Sequence, residues 1–135
     1  MRILLYCILT FSFLKPRTQP LFEQIAFNYF QKIIAPSENI KEMIYVTDSL
    51  AQYGAPFDWP GCLKIYSSND LQTVNASGKQ KISIAQIENF KVTKVKNKVN
   101  CYVVKSIDMA NGNHVVNVAF LHNHQGTIYY IELDT

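Results

Sequence analysis

The sequence predicts an α+β domain: one long N-terminal helix packed on a curved antiparallel sheet that ends in a three-stranded meander. Three observations predict it. Across residues 20–34 apolar side chains recur at spacings of three and four, the period of one helical face. From residue 98 to 134 the pattern changes to segments rich in Val, Tyr and Ile around Asn111-Gly112, a dipeptide that accepts positive φ at the centre of a tight hairpin turn. Between the two, Pro- and Gly-rich stretches break the chain into short pieces.

The 135 residues suit one domain. A hydrophobic share of 48% against 17% charged argues for a packed core and against disorder. Residues 1–17 read as a signal peptide: Arg2, then an apolar run over 3–14 that is shorter than the ~20 residues a bilayer span needs, then Lys15 and Arg17. No small-x-small pattern precedes Thr18, so the cleavage site is weak. The expectation is an exported chain, periplasmic or secreted, with residues 18–135 as the mature domain. Losing Arg2, Lys15 and Arg17 leaves ten basic residues against ten acidic ones. That balance excludes a nucleic-acid binder, which normally carries a basic excess. Export leaves Cys62 and Cys101, which suit either one disulfide or two buried thiols.

The helix is expected over residues 20–34. Pro20 fits a first turn and Glu23 meets the positive end of the helix dipole. Phe22, Ile25, Ala26, Tyr29, Phe30 and Ile33 form its apolar stripe, widened by Leu21, Phe27 and Ile34. Gln24, Asn28, Gln31 and Lys32 form the wet side, and Ala35-Pro36-Ser37 ends the helix. Residues 42–47 fit either a strand or a helix running on to Leu50 and Tyr53; their β-branched residues and Tyr45 favour the strand, with a turn at Asp48-Ser49. Residues 53–61 hold two prolines and two glycines, which excludes a regular element. Strands follow at 62–67, 81–87 and 90–95, with a polar, turn-rich loop over 68–78.

The meander strands are 100–108, 114–121 and 127–133. Parity places Cys101, Val103 and Ile107 on one face and Tyr102, Val104, Ser106 and Asp108 on the other. Neither face is strongly polar. The second face is therefore shielded, or paired in a homodimer through the outer sheet surface.

This order of elements resembles the cone-shaped helix-on-sheet domains of the cystatin-like and NTF2-like folds. The resemblance spans about residues 20 to 134 and is carried by element order, not by a residue motif.

The binding candidates are Phe57, Asp58 and Trp59 in the rigid Pro/Gly loop, with the indole stacking on a ligand and Asp58 orienting it, unless Phe57 and Trp59 instead plug one end of the core. Asp108 and His114 flank the Asn-Gly turn and can meet across the hairpin. Such a pair is half of an acid–base unit, though more often a surface contact. His122-Asn123-His124 reads as two solvated turn histidines, because zinc needs three or four protein ligands. Lys79, Lys81, Lys91, Lys94, Lys96 and Lys98 could attract an anionic partner or membrane surface, but read first as an edge strand guarded against unwanted pairing. With no nucleophile elbow, phosphate loop, CxxC or paired carboxylates, the expectation is a small binding or protein-interaction module without cofactor or metal. Its partner would be a small molecule or protein. The alternative is a small enzyme drawing an acid–base pair from Asp58, Asp108 and His114.

Overall fold

The computed structural model describes residues 21–51, 80–123 and 125–134, together with the backbone of 71–74. The fold is α+β. One 16-residue helix opens it: α1 (Phe22–Tyr29), a π-helical turn (Phe30–Ile34) and a last α-turn, α2 (Ala35–Ser37). The sheet follows as β1 (Ile44–Val46), β2 (Leu71–Val74), β3 (Phe90–Val92), β4 (Cys101–Val103), β5 (Ile107–Met109), β6 (His114–His122) and β7 (Gln125–Leu133).

The helix does not stop before Pro36. Proline lacks an N–H and its ring clashes with the carbonyl four residues back. The chain widens instead, and the Ala35 N–H reaches the Phe30 carbonyl five residues away. The helix then closes on a Schellman turn. Asn39 takes the left-handed conformation (φ 53°), its N–H bonds the Pro36 carbonyl, and the Ile40 N–H bonds the Ala35 carbonyl.

The buried face of this helix is not the expected one. Glu23, Ala26, Phe27, Phe30, Gln31 and Ala35 are inside, whereas Ile25, Tyr29 and Ile33 are 38%, 50% and 51% exposed. Two polar side chains turn the helix. Gln31 Nε2 donates to the Ala85 carbonyl (2.9 Å), and Glu23 Oε1 accepts the Ser106 N–H (2.7 Å). Glu23 satisfies a buried backbone N–H, and Gln31 anchors the helix to the neighbouring segment, at the cost of exposing part of the best apolar stripe.

The meander forms as expected. β6 pairs antiparallel with β7 along its whole length, from His114↔Leu133 to His122↔Gln125. Its other edge takes β4 and then β5, also antiparallel. Gly112 (φ 88°) sits in the β5–β6 turn, as the Asn-Gly dipeptide predicts. β4 and β5 are two halves of one strand. Cys101 faces Phe120 but Ile107 faces Val115, so one extra residue bulges out between them. The bulge frees the Ser106 N–H for Glu23. It also reverses the predicted parity. Cys101 and Val103 join the core with Phe27, Phe30, Val116 and Val118, while Ile107 moves to the opposite face.

The sheet is mixed rather than antiparallel, with order β2-β5-β6-β4-β1-β3 and β7 on β6. β1 pairs parallel with β3 on one side and β4 on the other. β2 lies inside the stretch expected to be a loop and pairs antiparallel with β5. Residues 81–87, expected as a strand, form none. Gln24 donates to the Ser83 carbonyl (2.8 Å) and accepts the Ser83 N–H (2.6 Å), and Gln31 holds Ala85. Side-chain amides of the helix replace a sheet ladder there.

Candidate functional site

Parallel β1 and β4 cannot stay in step. Val46 pairs with Cys101 and Ala51 with Val104, five residues against three. Residues 47–50 therefore loop away from the sheet. On the other side the chain must pass from β3 to β4, which flank β1. The passage is short because β4 starts at the level where β3 ends: Val46 pairs with both Val92 and Cys101. Residues 93–100 make it through a 3₁₀ turn (Lys96–Lys98). Thr93 N–H bonds the Val46 carbonyl and Asn100 N–H the Tyr45 carbonyl. Asn100 locks the junction with its side chain, whose Oδ1 accepts the Tyr45 N–H (2.7 Å) while Nδ2 donates to the Met43 carbonyl (3.1 Å).

Between the loop and the passage lies a cleft of about 530 Å³. Residues 47–51 line one side, Thr93, Lys94, Lys96 and Val99 another, and Lys81 and Tyr102 complete it. Lys81 Nζ bonds Asp48 Oδ2 (2.9 Å), and the Ile82 N–H bonds the Asp48 carbonyl. The hydrogen bond from Lys81 holds the Asp48 carboxyl below the usual carboxylate range. Tyr102 Oη donates to the Val99 carbonyl (3.3 Å). Among the described residues the lining thus carries three lysines against one aspartate.

A second cleft, about 340 Å³, lies at the far end of the β6–β7 hairpin and includes Glu38, Glu42, Phe120, His122 and Tyr129. His122 Nδ1–H donates to Glu42 Oε2, which leaves Nε2 to accept from Asn123 Nδ2 (3.0 Å). Burial, reinforced by the Glu38 charge, raises the Tyr129 phenol above its ordinary value.

Asp108 and His114 do meet across the hairpin: His114 Nδ1–H donates to Asp108 Oδ1 (2.8 Å), and Phe22 stacks on the imidazole at 3.7 Å. Neither residue lines either cleft. Phe57, Asp58, Trp59, Cys62, Lys79 and His124, and residues 1–17, which the sequence suggests are a signal peptide, lie outside the described residues. Cys101 is a free, buried thiol, and desolvation pushes its ionisation far up. Lys91 sits on β3, which ends the sheet, as an edge-guarding lysine should. Lys81, Lys94 and Lys96 instead line the larger cleft. Sequence reasoning missed their gathering round one cleft, because the partner segment 47–51 lies thirty or more residues away. Among the described residues no group of three or more His, Cys, Asp or Glu side chains could hold a metal, and no helix is long and apolar enough to cross a membrane.

No protein-family model, curated protein or solved structure matches this chain.

Proposed function

We propose that the chain is a small exported binding module that holds a small molecule in the cleft between residues 47–51 and 93–99. The observation that carries this reading is the cleft itself. Its volume of about 530 Å³ falls within the ~300–1,000 Å³ usual for small-molecule sites. Apolar Leu50, Ala51 and Val99 share its lining with a few polar groups, the usual make-up of such sites. Export is supported by the apolar run over 3–14 behind Arg2. The helix packed on the meander supports the likeness to cystatin-like and NTF2-like folds, and the parallel β3-β1-β4 ribbon departs from it. Homodimerisation through the second sheet face is not part of this reading. Val104, Val115 and Ala119 on that face are 1% exposed or less within the single chain.

The test is native mass spectrometry on protein purified from its own host. The wild type should carry a bound small molecule that Ser49→Trp, which fills the cleft from an exposed position, no longer retains. A species held equally by Ser49→Trp would place the site elsewhere.

One observation favours a second reading, a small enzyme. In the second cleft Glu42 and Asn123 hold the two ring nitrogens of His122, and an imidazole–carboxylate pair of this kind is half of an acid–base unit. Turnover of a nitrophenyl ester or glycoside that disappears in His122→Gln, with the melting temperature unchanged, would select that reading over the first.

A further inference from the structure

We propose that the ligand of the larger cleft is a small organic dianion: a short apolar body bearing a phosphate or a pair of carboxylates. This rests on the reading of that cleft as the binding site. The charges there are unequal in their commitments. Lys81 is already engaged by Asp48 at 2.9 Å. Lys94 and Lys96 make no ion pair among the described residues. With three lysines against one aspartate among the described lining residues, and Lys94 also acting on Asp48 through space, a surplus of two positive charges faces the cleft in a mature chain whose basic and acidic residues balance. A ligand with two negative charges matches that surplus.

The uncharged polar groups point the same way. Thr47 Oγ1 accepts the Ser49 N–H (3.4 Å) and Thr93 Oγ1 accepts the Val95 N–H (3.2 Å). Each hydroxyl keeps its O–H to give. Ser49 Oγ donates to Asp48 Oδ1 (3.4 Å), and Tyr102 Oη donates to the Val99 carbonyl. The one carboxylate among the described lining residues is thus occupied, and what their side chains still offer a ligand is mainly donors and ammonium groups. Such a site selects a ligand rich in acceptors. Lysines at the ends of flexible stems are point charges that suit a phosphate or a carboxylate alike, without the planar fork of arginine. The chain's only arginines are Arg2 and Arg17. Leu50, Ala51 and Val99 give the apolar body its contact. A single-stranded nucleic acid is disfavoured because Tyr102 is the one aromatic ring among the described lining residues, too few for a run of stacked bases.

The test is a two-dimensional NMR titration of the purified protein with four probes that share one ring: phenyl phosphate, phenylsuccinate, benzoate and benzyl alcohol. The amides of residues 47–51 and 93–99 report occupancy. The dianions should bind saturably, about tenfold tighter than benzoate, and weaken by about tenfold in Lys94→Gln/Lys96→Gln, as expected for losing two exposed charge contacts. Benzyl alcohol should be indifferent to that double variant. Tighter binding of phenyl phosphate assigns the phosphate source and tighter binding of phenylsuccinate the carboxylate source; either supports the class. Equal affinity for benzyl alcohol and the dianions, or dianion affinity unchanged in the double variant, overturns the dianion while leaving the cleft as the site. If no probe moves those amides, and the native ligand is held equally by Ser49→Trp, the site reading falls with it.

Discussion

The meander and the β3-to-β4 passage share one sheet but are held together in different ways. β4 to β7 join through backbone ladders between neighbours in sequence: nine consecutive residue pairs link β6 to β7 alone. The passage and the segment before it are held by side chains reaching from afar. Gln24 grips Ser83, Gln31 grips Ala85, Asn89 grips the Ile40 carbonyl and Asn100 grips Met43 and Tyr45. The difference teaches where a site can form. A continuous ladder leaves no gap. A segment fastened at a few points leaves room between the fastenings, and the larger cleft lies in that room.

The largest effect should come from the core that both regions share. Phe30 is fully buried, with its ring near those of Phe27, Phe90 and Tyr129, so it touches the meander and the edge strand together. Phe30→Ala should cost about 3–5 kcal/mol in denaturant unfolding, as a single transition. Two separated transitions would break the comparison by showing that the regions do not share a core. Asn100→Ala removes two partly buried hydrogen bonds and should cost about 2–3 kcal/mol by the same measurement. Gln24→Ala removes the more exposed grip on Ser83 and should cost about 1 kcal/mol. In hydrogen exchange its effect should appear at Ser83 and its neighbours, with the amides of β6 unchanged.

The smallest effect concerns pH. The Asp48 carboxyl titrates below its unfolded value because Lys81 bonds its charged form. Its contribution is present above the unfolded pKa of ~3.9 and is lost as pH falls through the lower folded value. The melting-temperature gap between wild type and Asp48→Asn should therefore be widest near neutrality and narrow below about pH 4. A gap that grows on acidification would contradict the assigned cause.

The same contrast explains what the sequence revealed. Period-two alternation and Asn111-Gly112 are local signals, and the hairpins they predict are present, as is the Asp108–His114 contact that follows from the turn. The helix was legible as a helix but not in its rotation. Nothing near Gln31 shows that it will bond a carbonyl 54 residues on, and nothing near Glu23 shows that a bulge will offer it the Ser106 N–H. The bulge itself hides in Val104-Lys105-Ser106, which reads as an unbroken strand. β2 hides in a polar run, because its pairing with β5 comes from 33 or more residues away. The cleft needs parallel pairing between β1 and β4, for which the sequence carries no local mark. The Phe57–Trp59 loop stands out in the sequence for its rigidity, and its residues lie outside those described.

Amide hydrogen exchange by NMR under native conditions tests the contrast most directly, because it measures the opening free energy of each bond. Val118 in β6 should open only with global unfolding. Ile82 and Thr93, whose N–H groups bond the Asp48 and Val46 carbonyls, should exchange through local openings at markedly lower free energy. Equal protection at Ile82, Thr93 and Val118 would contradict the account.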